Sequence, residues 1–272
     1  MKKFEQKSHW ELIGKGGSGK VYKVPKQRGK GFWAVKVILL TSPKGGMSQR
    51  SKCRMVAQAR LMASVGCKRI VAVRKIQEIK DAVFLYMDYI EGCSLKEILK
   101  GQGPLREEAV IDIGIQLCDI LGKLHHHRPK IIYRDMKPAN VLIDARRKVY
   151  LTDFDIIWIQ GQNGKMNLGG LGTEGYAPPE QYEEMEVLDE RTDIYALGIT
   201  LMELLTDEKP WEQKDCRHWI QKWRRYFSDA LLNVIEMCTQ PSLEKRYSSC
   251  RKVKWDLKSI KRMYFCERHM NT

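Results

Sequence analysis

One short stretch of the chain carries the side chains that phosphoryl transfer requires. Tyr-Arg-Asp-Met-Lys-Pro-Ala-Asn occupies positions 133–140, and Asp-Phe-Asp follows at positions 153–155. Asp135 could accept the proton of an attacking hydroxyl, and Lys137 could neutralise charge on the transferred phosphoryl group. Asn140 and Asp153 supply oxygen atoms of the kind that Mg²⁺ prefers. The grouping therefore predicts transfer of a phosphoryl group from ATP.

A glycine-rich segment offers backbone N–H groups to the phosphates. It starts at Gly14 and reads Gly-Lys-Gly-Gly-Ser-Gly, so that Gly14, Gly16 and Gly19 place no Cβ in the way. The spacing nearly matches a Walker A loop, but Val21 replaces the Ser or Thr that binds magnesium and a strand follows instead of a helix. Lys36 is centred in the apolar strand Trp-Ala-Val-Lys-Val and needs a partner there, which the α and β phosphates would supply.

The apolar pattern divides the chain into a β-rich part and a helical part. Strands are predicted at Trp10–Ile13, Val21–Val24, Phe32–Leu39, Ile70–Ile76 and Ala82–Met87. One helix interrupts them, predicted over Met47–Val65 with Met55, Ala59, Met62 and Ala63 on one face. After Gly92 the pattern predicts long helices at Glu107–His125 and Thr192–Leu205, the second of them apolar almost all round, as in a buried helix.

These motifs and their order, from Trp10 to Arg262, resemble the catalytic domain of eukaryotic-type protein kinases. The segment Gly-Thr-Glu-Gly-Tyr-Ala-Pro-Pro-Glu at 172–180 is similar to the end of that family's activation segment. The resemblance implies an α+β, bilobal protein-kinase fold. It implies an N-lobe of strands with one helix over 1–87, a hinge over 88–92 and a larger, mainly helical C-lobe over 93–272.

The resemblance also implies roles for individual residues. Catalysis would depend on Asp135, Lys137 and Lys36, and Mg²⁺ would be held by Asn140 and Asp153. The cofactors would be ATP and Mg²⁺, with the nucleotide bound by Gly14, Gly16, Gly19, Val21, Ala34, Lys36, Gln58, Met87, Tyr89, Asn140, Leu142 and Asp153. Glu180 and Arg246 would form a buried ion pair, and a central helix containing Asp193 and Gly198 would brace the catalytic loop.

Tyr133 stands where the family has a histidine, and two further positions depart from the family pattern in ways that bear on activity. Gln58 stands where the family has a glutamate that pairs with the ATP lysine, and no Asp or Glu lies between Lys36 and Glu78. A neutral partner reduces that contact from about 1.5–3 kcal/mol to roughly 0.5–1.5 kcal/mol. Asp155 replaces a glycine, which predicts a stiffer metal motif. These departures leave open an alternative function, that of a nucleotide-binding pseudokinase acting as a scaffold or allosteric regulator.

Further details suggest the kinase class and its control. Lys137 and Thr173 resemble the Ser/Thr-specific class, and Tyr-Arg-Asp with Pro-Glu-Gln resembles its bacterial branch. Arg134 could pair with a phosphate on the activation segment, yet positions 154–172 contain no Ser, Thr or Tyr. The sequence therefore predicts a segment that is ordered by substrate, partner binding or dimerisation without phosphorylation.

The formal net charge of +15 is concentrated in two segments, 44–75 and 251–262. They are interpreted either as solvated helix faces or as surfaces for acidic protein segments, anionic lipid or nucleic acid. Aromatic residues do not interleave with these charges in the way that a platform for single-stranded nucleic acid would, since Trp255 is the one aromatic residue in the two segments, and nucleic acid is therefore a minor option. The expected partner is a protein substrate with a Ser or Thr acceptor, with acidic segments as candidate ligands.

The remaining composition indicates the compartment. Eight cysteines are scattered without the paired spacing of a zinc or redox site, so they are interpreted as free thiols in a reducing environment. The N-terminus leads into no apolar segment, and the longest apolar runs are only as long as strands. The sequence therefore predicts a cytoplasmic protein with no membrane span.

Overall fold

The computed structural model describes residues 9–16, 19–40, 49–79, 82–161, 173–182, 188–209 and 216–270. The chain divides into two compact units, unit 1 over Met1–Glu91 and unit 2 over Gly92–Thr272. The division falls within positions 88–92, where the sequence predicts a hinge. The β-rich and helical parts of the sequence thus form separate units.

Unit 1 is a five-stranded antiparallel sheet with one helix. Its strands are β1 (Glu11–Gly16), β2 (Gly19–Pro25), β3 (Phe32–Leu39), β4 (Val73–Ile79) and β5 (Ala82–Asp88). They are ordered β1-β2-β3-β5-β4. Helix α1 (Gln49–Ser64) connects β3 to β4. Strand β3 lies between β2 and β5, and its long apolar run fits side chains that are buried on both faces of the sheet.

The two faces of this sheet have different cores. Val35 packs with Val24 and Phe84 on one face. Ile38 and Leu85 pack on the other face, together with Met55 of α1. Because side chains alternate along a strand, Lys36 shares the face of Ile38 that α1 covers.

Three predictions for unit 1 need correction. Ala63 is exposed, because the buried side of α1 centres on Gln58, Ala59 and Met62, and Ala63 lies beyond its edge. Strand β4 starts at Val73, since the residues over 70–72 are buried without belonging to a continuous strand.

The remaining correction concerns the glycine-rich segment, half of which belongs to the first strand. Gly14 pairs with Val21, and Gly16 pairs with Gly19, which makes β1 longer than the predicted Trp10–Ile13. At Gly19, φ is 153° and an added Cβ would lie 2.4 Å from the Val37 carbonyl oxygen, so this close approach of β2 to β3 requires glycine. Residues 17 and 18 lie outside the described part, as does Met47, where α1 was predicted to begin.

Unit 2 contains seven described helices and three small strand pairings. The helices are α2 (Leu95–Gln102), α3 (Glu107–His125), α4 (Pro179–Tyr182), α5 (Glu190–Thr206), α6 (Cys216–Trp223), α7 (Asp229–Cys238) and α8 (Cys250–Met270). The strands are β6 (Gly92–Ser94), β7 (Ile131–Ile132), β8 (Val141–Asp144), β9 (Val149–Leu151) and β10 (Trp158–Ile159). Strands β6-β8-β9 form one sheet, and β10 pairs with β7.

Helix α5 is the centre of unit 2. It is buried on all sides, as its apolar sequence predicts, and it packs against α3 and α7. Helix α3 has the predicted bounds and presents Val110, Leu117 and Leu124 to the core. Within the described residues, no helix is long and apolar enough to cross a membrane.

Seven of the eight cysteines, all except Cys266, have side chains that the structure describes, and these seven are free thiols. Three of them, Cys118, Cys238 and Cys250, are buried in unit 2. Burial raises the pKa of the Cys238 thiol well above its usual value. This thiol therefore behaves as a small apolar side chain between α5 and α7.

Gly198 tests the packing of α5 on α7. An added Cβ would lie 2.7 Å from Cys238 Cβ and 2.7 Å from Thr239 Cγ2. We expect Gly198→Ala to destabilise the protein by about 1–3 kcal/mol through overpacking, although alanine favours a helix. Gly122→Ala in α3 is the control, since no atom lies within 4 Å of its added Cβ. Urea unfolding should show the control at least as stable as the wild type; equal destabilisation of both variants would contradict this packing.

Candidate active site

Asp193 of α5 positions the loop that follows β7. Its carboxylate is fully buried and accepts hydrogen bonds from the backbone N–H groups of Tyr133, at 2.8 Å, and Arg134, at 2.7 Å. His125 Nε2 lies 2.8 Å from the same carboxylate. Arg134 adopts a left-handed backbone conformation, with φ of 72°. One side chain of α5 therefore holds the loop in place. This agrees with the bracing role that the resemblance implies for the helix containing Asp193.

Asp135 is surrounded by three donors. Lys137 Nζ lies 2.9 Å from both of its carboxylate oxygens, and Thr173 Oγ1 donates to Oδ1 at 2.7 Å. Asn140 Nδ2 donates to Oδ2 at 2.6 Å and to the Asp135 carbonyl at 2.9 Å. The Asp135 side chain is 12% exposed and that of Lys137 is 21% exposed. The carboxylate is thus fixed in one orientation and still reaches solvent, as an acceptor for a substrate proton requires.

Asn140 and Asp153 have the chemistry of a magnesium site. The Thr152 N–H donates to the Asn140 carbonyl at 3.0 Å, which places Asp153 next to Asn140. Because the Asn140 amide nitrogen is used by Asp135, its side-chain oxygen is the atom left for a cation. One carboxylate with one amide oxygen suits Mg²⁺, which takes its other ligands from water and phosphate. Among the described residues, no cluster of three His, Cys, Asp or Glu side chains could hold a metal.

Tyr133, at the position where the resemblance implies a histidine, anchors the Asp-Phe-Asp segment at positions 153–155. Its hydroxyl donates to the Thr152 carbonyl at 2.5 Å, and its ring packs edge-on against Phe154 with centroids 5.3 Å apart. Burial raises the pKa of Tyr133 well above its usual value, and the charges of Asp135 and Asp153 add to the effect. The hydroxyl therefore stays protonated and remains a donor. This anchoring role was not predicted from the sequence.

The left-handed residue of the metal motif is Asp153, with φ of 61°. Asp155 is half-buried and is not one of the residues with positive φ in the described part. The aspartate that replaces glycine is therefore not strained in this conformation. The sequence-based expectation of a stiffer motif concerns movement between two states and stays a prediction.

Glu180 and Arg246 form the predicted buried ion pair. Arg246 Nη1 lies 2.6 Å from Glu180 Oε1, and Nη2 lies 2.8 Å from Oε2. The Arg246 side chain is 0% exposed, and the Glu180 side chain is 6% exposed. Arg246 also donates to the carbonyls of Gln240 and Pro241. The bidentate pair attaches the end of the activation segment to the turn before α8.

A second buried contact to this segment was missed from the sequence. The Tyr176 hydroxyl donates to the Glu203 carboxylate in α5. Burial raises the pKa of Glu203, and burial beside this carboxylate raises the pKa of Tyr176. A glutamate inside an otherwise apolar helix was the available signal, because such a group needs a buried partner.

The predicted nucleotide-binding residues of unit 1 lie mostly on one sheet face. Val21 is the cross-strand neighbour of Lys36, and Ala34 is the neighbour of Met87. Directly opposed residues share a face, so these four side chains lie on the side that α1 covers. Gly14 and Gly16 belong to β1, Gly19 to β2, and Tyr89 follows β5. Lys36 and Gln58 are both buried, with 7% and 4% exposure, on β3 and α1.

Leu142, the last predicted nucleotide-binding residue, and the start of the activation segment lie in or near the small sheets of unit 2. Leu142 lies in β8, half-buried between Ser94 and Tyr150 of the neighbouring strands. Arg134 is buried, and its guanidinium donates to the Ile156 carbonyl at 3.4 Å. Residues 162–172, which include most of the segment without hydroxyl groups, lie outside the described part.

Comparison with known proteins decides the family. Residues 8–257 match the family described as "Protein kinase domain". The chain belongs to the protein kinase family. Its kinase motifs are thus part of a match that covers almost the whole chain, and the bilobal α+β class inferred from them is confirmed.

The relatives include bacterial and eukaryotic kinases. The chain is 28% identical to serine/threonine-protein kinase PrkC of Bacillus subtilis, over 76% of this chain and 33% of that protein. It is 33% identical to serine/threonine-protein kinase PknD of Mycobacterium tuberculosis, over 74% and 29%. It is 31% identical to receptor-interacting serine/threonine-protein kinase 4 of Mus musculus, over 78% and 27%. The matched part of this kinase domain thus spans about a third or less of these relatives, and they do not support the pseudokinase alternative.

Substitution of Arg246 tests how strongly the buried ion pair with Glu180 stabilises the end of the activation segment. Arg246→Met would leave Glu180 buried without its partner, so we expect a loss of about 3–5 kcal/mol in the free energy of unfolding. Lys222→Met is the matched control, because Lys222 Nζ lies an equal 2.6 Å from Glu208 in a pair that is 43% and 30% exposed. Its loss should stay below about 1 kcal/mol. Similar losses in the two variants, measured by urea unfolding, would contradict the assigned role of burial.

Proposed function

We propose that this chain is an ATP- and Mg²⁺-dependent protein kinase that transfers the γ-phosphoryl group to Ser or Thr hydroxyls. The observation that carries the proposal is the fixed Asp135 carboxylate, which is held by Lys137, Asn140 and Thr173. The names of the relatives support the Ser/Thr class.

Each side chain near Asp135 has a part in the proposed reaction. Asp135 accepts the proton of the substrate hydroxyl. At the same time the hydroxyl oxygen attacks the γ-phosphorus, and the bond between this phosphorus and ADP breaks. Lys137 neutralises charge on the phosphoryl oxygens, and Thr173 holds the lysine and the carboxylate together. The Ser or Thr class of the acceptor is proposed because Lys137 and Thr173 resemble the Ser/Thr-specific kinases and because the relatives carry that name.

Two sets of residues are proposed to hold the cofactors. In unit 1, Lys36 would neutralise the α and β phosphates, the glycines of the β1–β2 segment would approach the phosphates, and Gln58 would accept a hydrogen bond from Lys36. In unit 2, Asn140 and Asp153 would hold Mg²⁺, which screens the charge of the phosphates during transfer. These residues are proposed from chemistry and from their matching positions in the family motifs.

The partner and location are proposed on the same basis. The substrate is a protein with a Ser or Thr acceptor, and the free thiols of the described part suit a cytoplasmic enzyme. A preference for acidic substrates rests only on the basic composition of the chain. Dimerisation rests only on the activation segment that lacks hydroxyl groups and must be ordered without phosphorylation.

The roles proposed for Asp135 and Asp153 predict different effects of substitution on ATP binding and on phosphate transfer. Asp135→Asn should abolish phosphate transfer from radiolabelled ATP and leave nucleotide affinity near the wild-type value, because Asp135 acts on the substrate hydroxyl. Asp153→Ala should instead remove magnesium-dependent ATP binding, measured by calorimetry.

Asp135→Asn and Asp153→Ala control for each other, because each variant removes one carboxylate and the two carboxylates lie in neighbouring loops. Transfer that persists in Asp135→Asn would overturn the assignment of the acceptor. An equal loss of ATP binding in both variants would contradict the division of roles.

Gln58 tests the contact proposed for Lys36. Gln58→Glu should strengthen this contact from about 0.5–1.5 to about 1.5–3 kcal/mol and raise turnover. Gln102→Glu adds the same charge at an exposed site of α2 and should leave turnover unchanged. Loss of activity in Gln58→Glu without loss of thermal stability would show that another residue holds the lysine.

A further inference from the structure

Helix α8 presents two very different faces. Val253, Leu257 and Ile260 are buried, and the helix packs against α3 along much of its length. On the opposite side, Arg251, Trp255, Lys258 and Arg262 are all exposed. Their spacing of i, i+4, i+7 and i+11 places them in one stripe of a helix.

The cations of α8 fall into two groups. Lys254 pairs with Asp119 and Lys261 pairs with Asp112, so the cations next to α3 are neutralised by that helix. Arg251, Lys258 and Arg262 of the outer stripe, with Lys252 beside them, form no ion pair with any described side chain. Among the described side chains, the outer stripe is therefore a row of positive charge without an ion-pair partner.

A pocket lies beside the stripe. Its volume is about 410 Å³, and Met237, Trp255, Lys252 and Glu244 are among the residues that line it. Trp255 is 69% exposed and Met237 is 43% exposed, so two large apolar side chains border a concave surface that solvent reaches. Exposed tryptophans next to pockets are typical anchors of protein interfaces.

We propose that this surface, the α8 stripe with its pocket, binds an acidic segment of a partner protein that carries one large apolar side chain. The apolar side chain enters the pocket between Trp255 and Met237. Carboxylates on one side of it lie along Arg251, Lys258 and Arg262. Glu244 on the pocket rim repels carboxylates there, which directs the acidic part of the ligand toward α8.

The other anionic ligands fit this surface less well. Insertion into a membrane surface needs the apolar face of a helix, and that face of α8 is buried against α3. Nucleic acid would meet the carboxylates of Glu244 and Asp256 at the pocket and would leave the exposed apolar surfaces of Trp255 and Met237 unused. An acidic peptide uses both the charge and the cavity.

The test uses the full chain and fluorescence anisotropy. The probe is a labelled peptide in which a leucine is followed by a run of glutamates. Comparison peptides replace the leucine by serine or the glutamates by lysines. We expect only the original peptide to bind well, with an affinity that falls as salt increases.

Two variants and a matched control locate the binding. Lys258→Glu with Arg262→Glu should weaken binding roughly tenfold or more, and Trp255→Ala should weaken it about tenfold. Arg28→Glu with Lys30→Glu makes an equal charge change on exposed residues between β2 and β3 and should change affinity less than about twofold. Thermal melting confirms that each variant is folded.

Chemical-shift mapping on the wild-type chain gives a second measurement. The original peptide should shift the amide signals of 251–262 and of Met237. The proposal is overturned if the peptide does not bind, if it binds equally to the α8 variants and the control, or if the shifts lie elsewhere. It is also overturned if phosphatidylserine vesicles or a DNA duplex, and not the peptide, bind in a way that depends on Lys258 and Arg262.

Discussion

The buried carboxylate of Asp193 is the constraint on which the active site depends. It lies in a helix that is buried on all sides and accepts two backbone hydrogen bonds from the loop that follows β7, which we propose as the catalytic loop. A buried carboxylate is costly without donors, and here Tyr133, Arg134 and His125 face it. The helix core thereby sets the position of the loop, and the loop sets the position of Asp135.

Buried contacts stabilise two unfavourable backbone conformations in this site. Arg134 and Asp153 have φ values of 72° and 61°, in the left-handed region that costs non-glycine residues about 1 kcal/mol or more. At Arg134 the hydrogen bond to Asp193 offsets the cost. At Asp153 the neighbouring Thr152 is held by the Tyr133 hydroxyl and by the Asn140 carbonyl. Strain in the site is thus balanced by contacts to buried groups.

The sequence predicts those features that depend on residue type at fixed spacing. The bounds of α3 and β3 follow from apolar periodicity, and the Glu180–Arg246 pair follows from the ordered motifs. Contacts between distant residues could not be read in this way. The bond from Tyr176 to Glu203 depends on how two separate segments pack, and the start of β4 was misplaced because apolar residues signal burial as readily as a strand.

The central claim is that Asp193 holds the catalytic loop, and amide hydrogen exchange tests it directly. Asp193→Asn keeps the size of the side chain but replaces one acceptor oxygen by an NH₂ group, which cannot accept from a backbone N–H. We predict that exchange at one of the two amides of Tyr133 and Arg134, the one left facing the NH₂ group, becomes at least about tenfold faster, the equivalent of a hydrogen bond of roughly 1.5 kcal/mol. Exchange should stay slow in the rest of α5. Unchanged protection of these two amides in a folded variant would contradict the account.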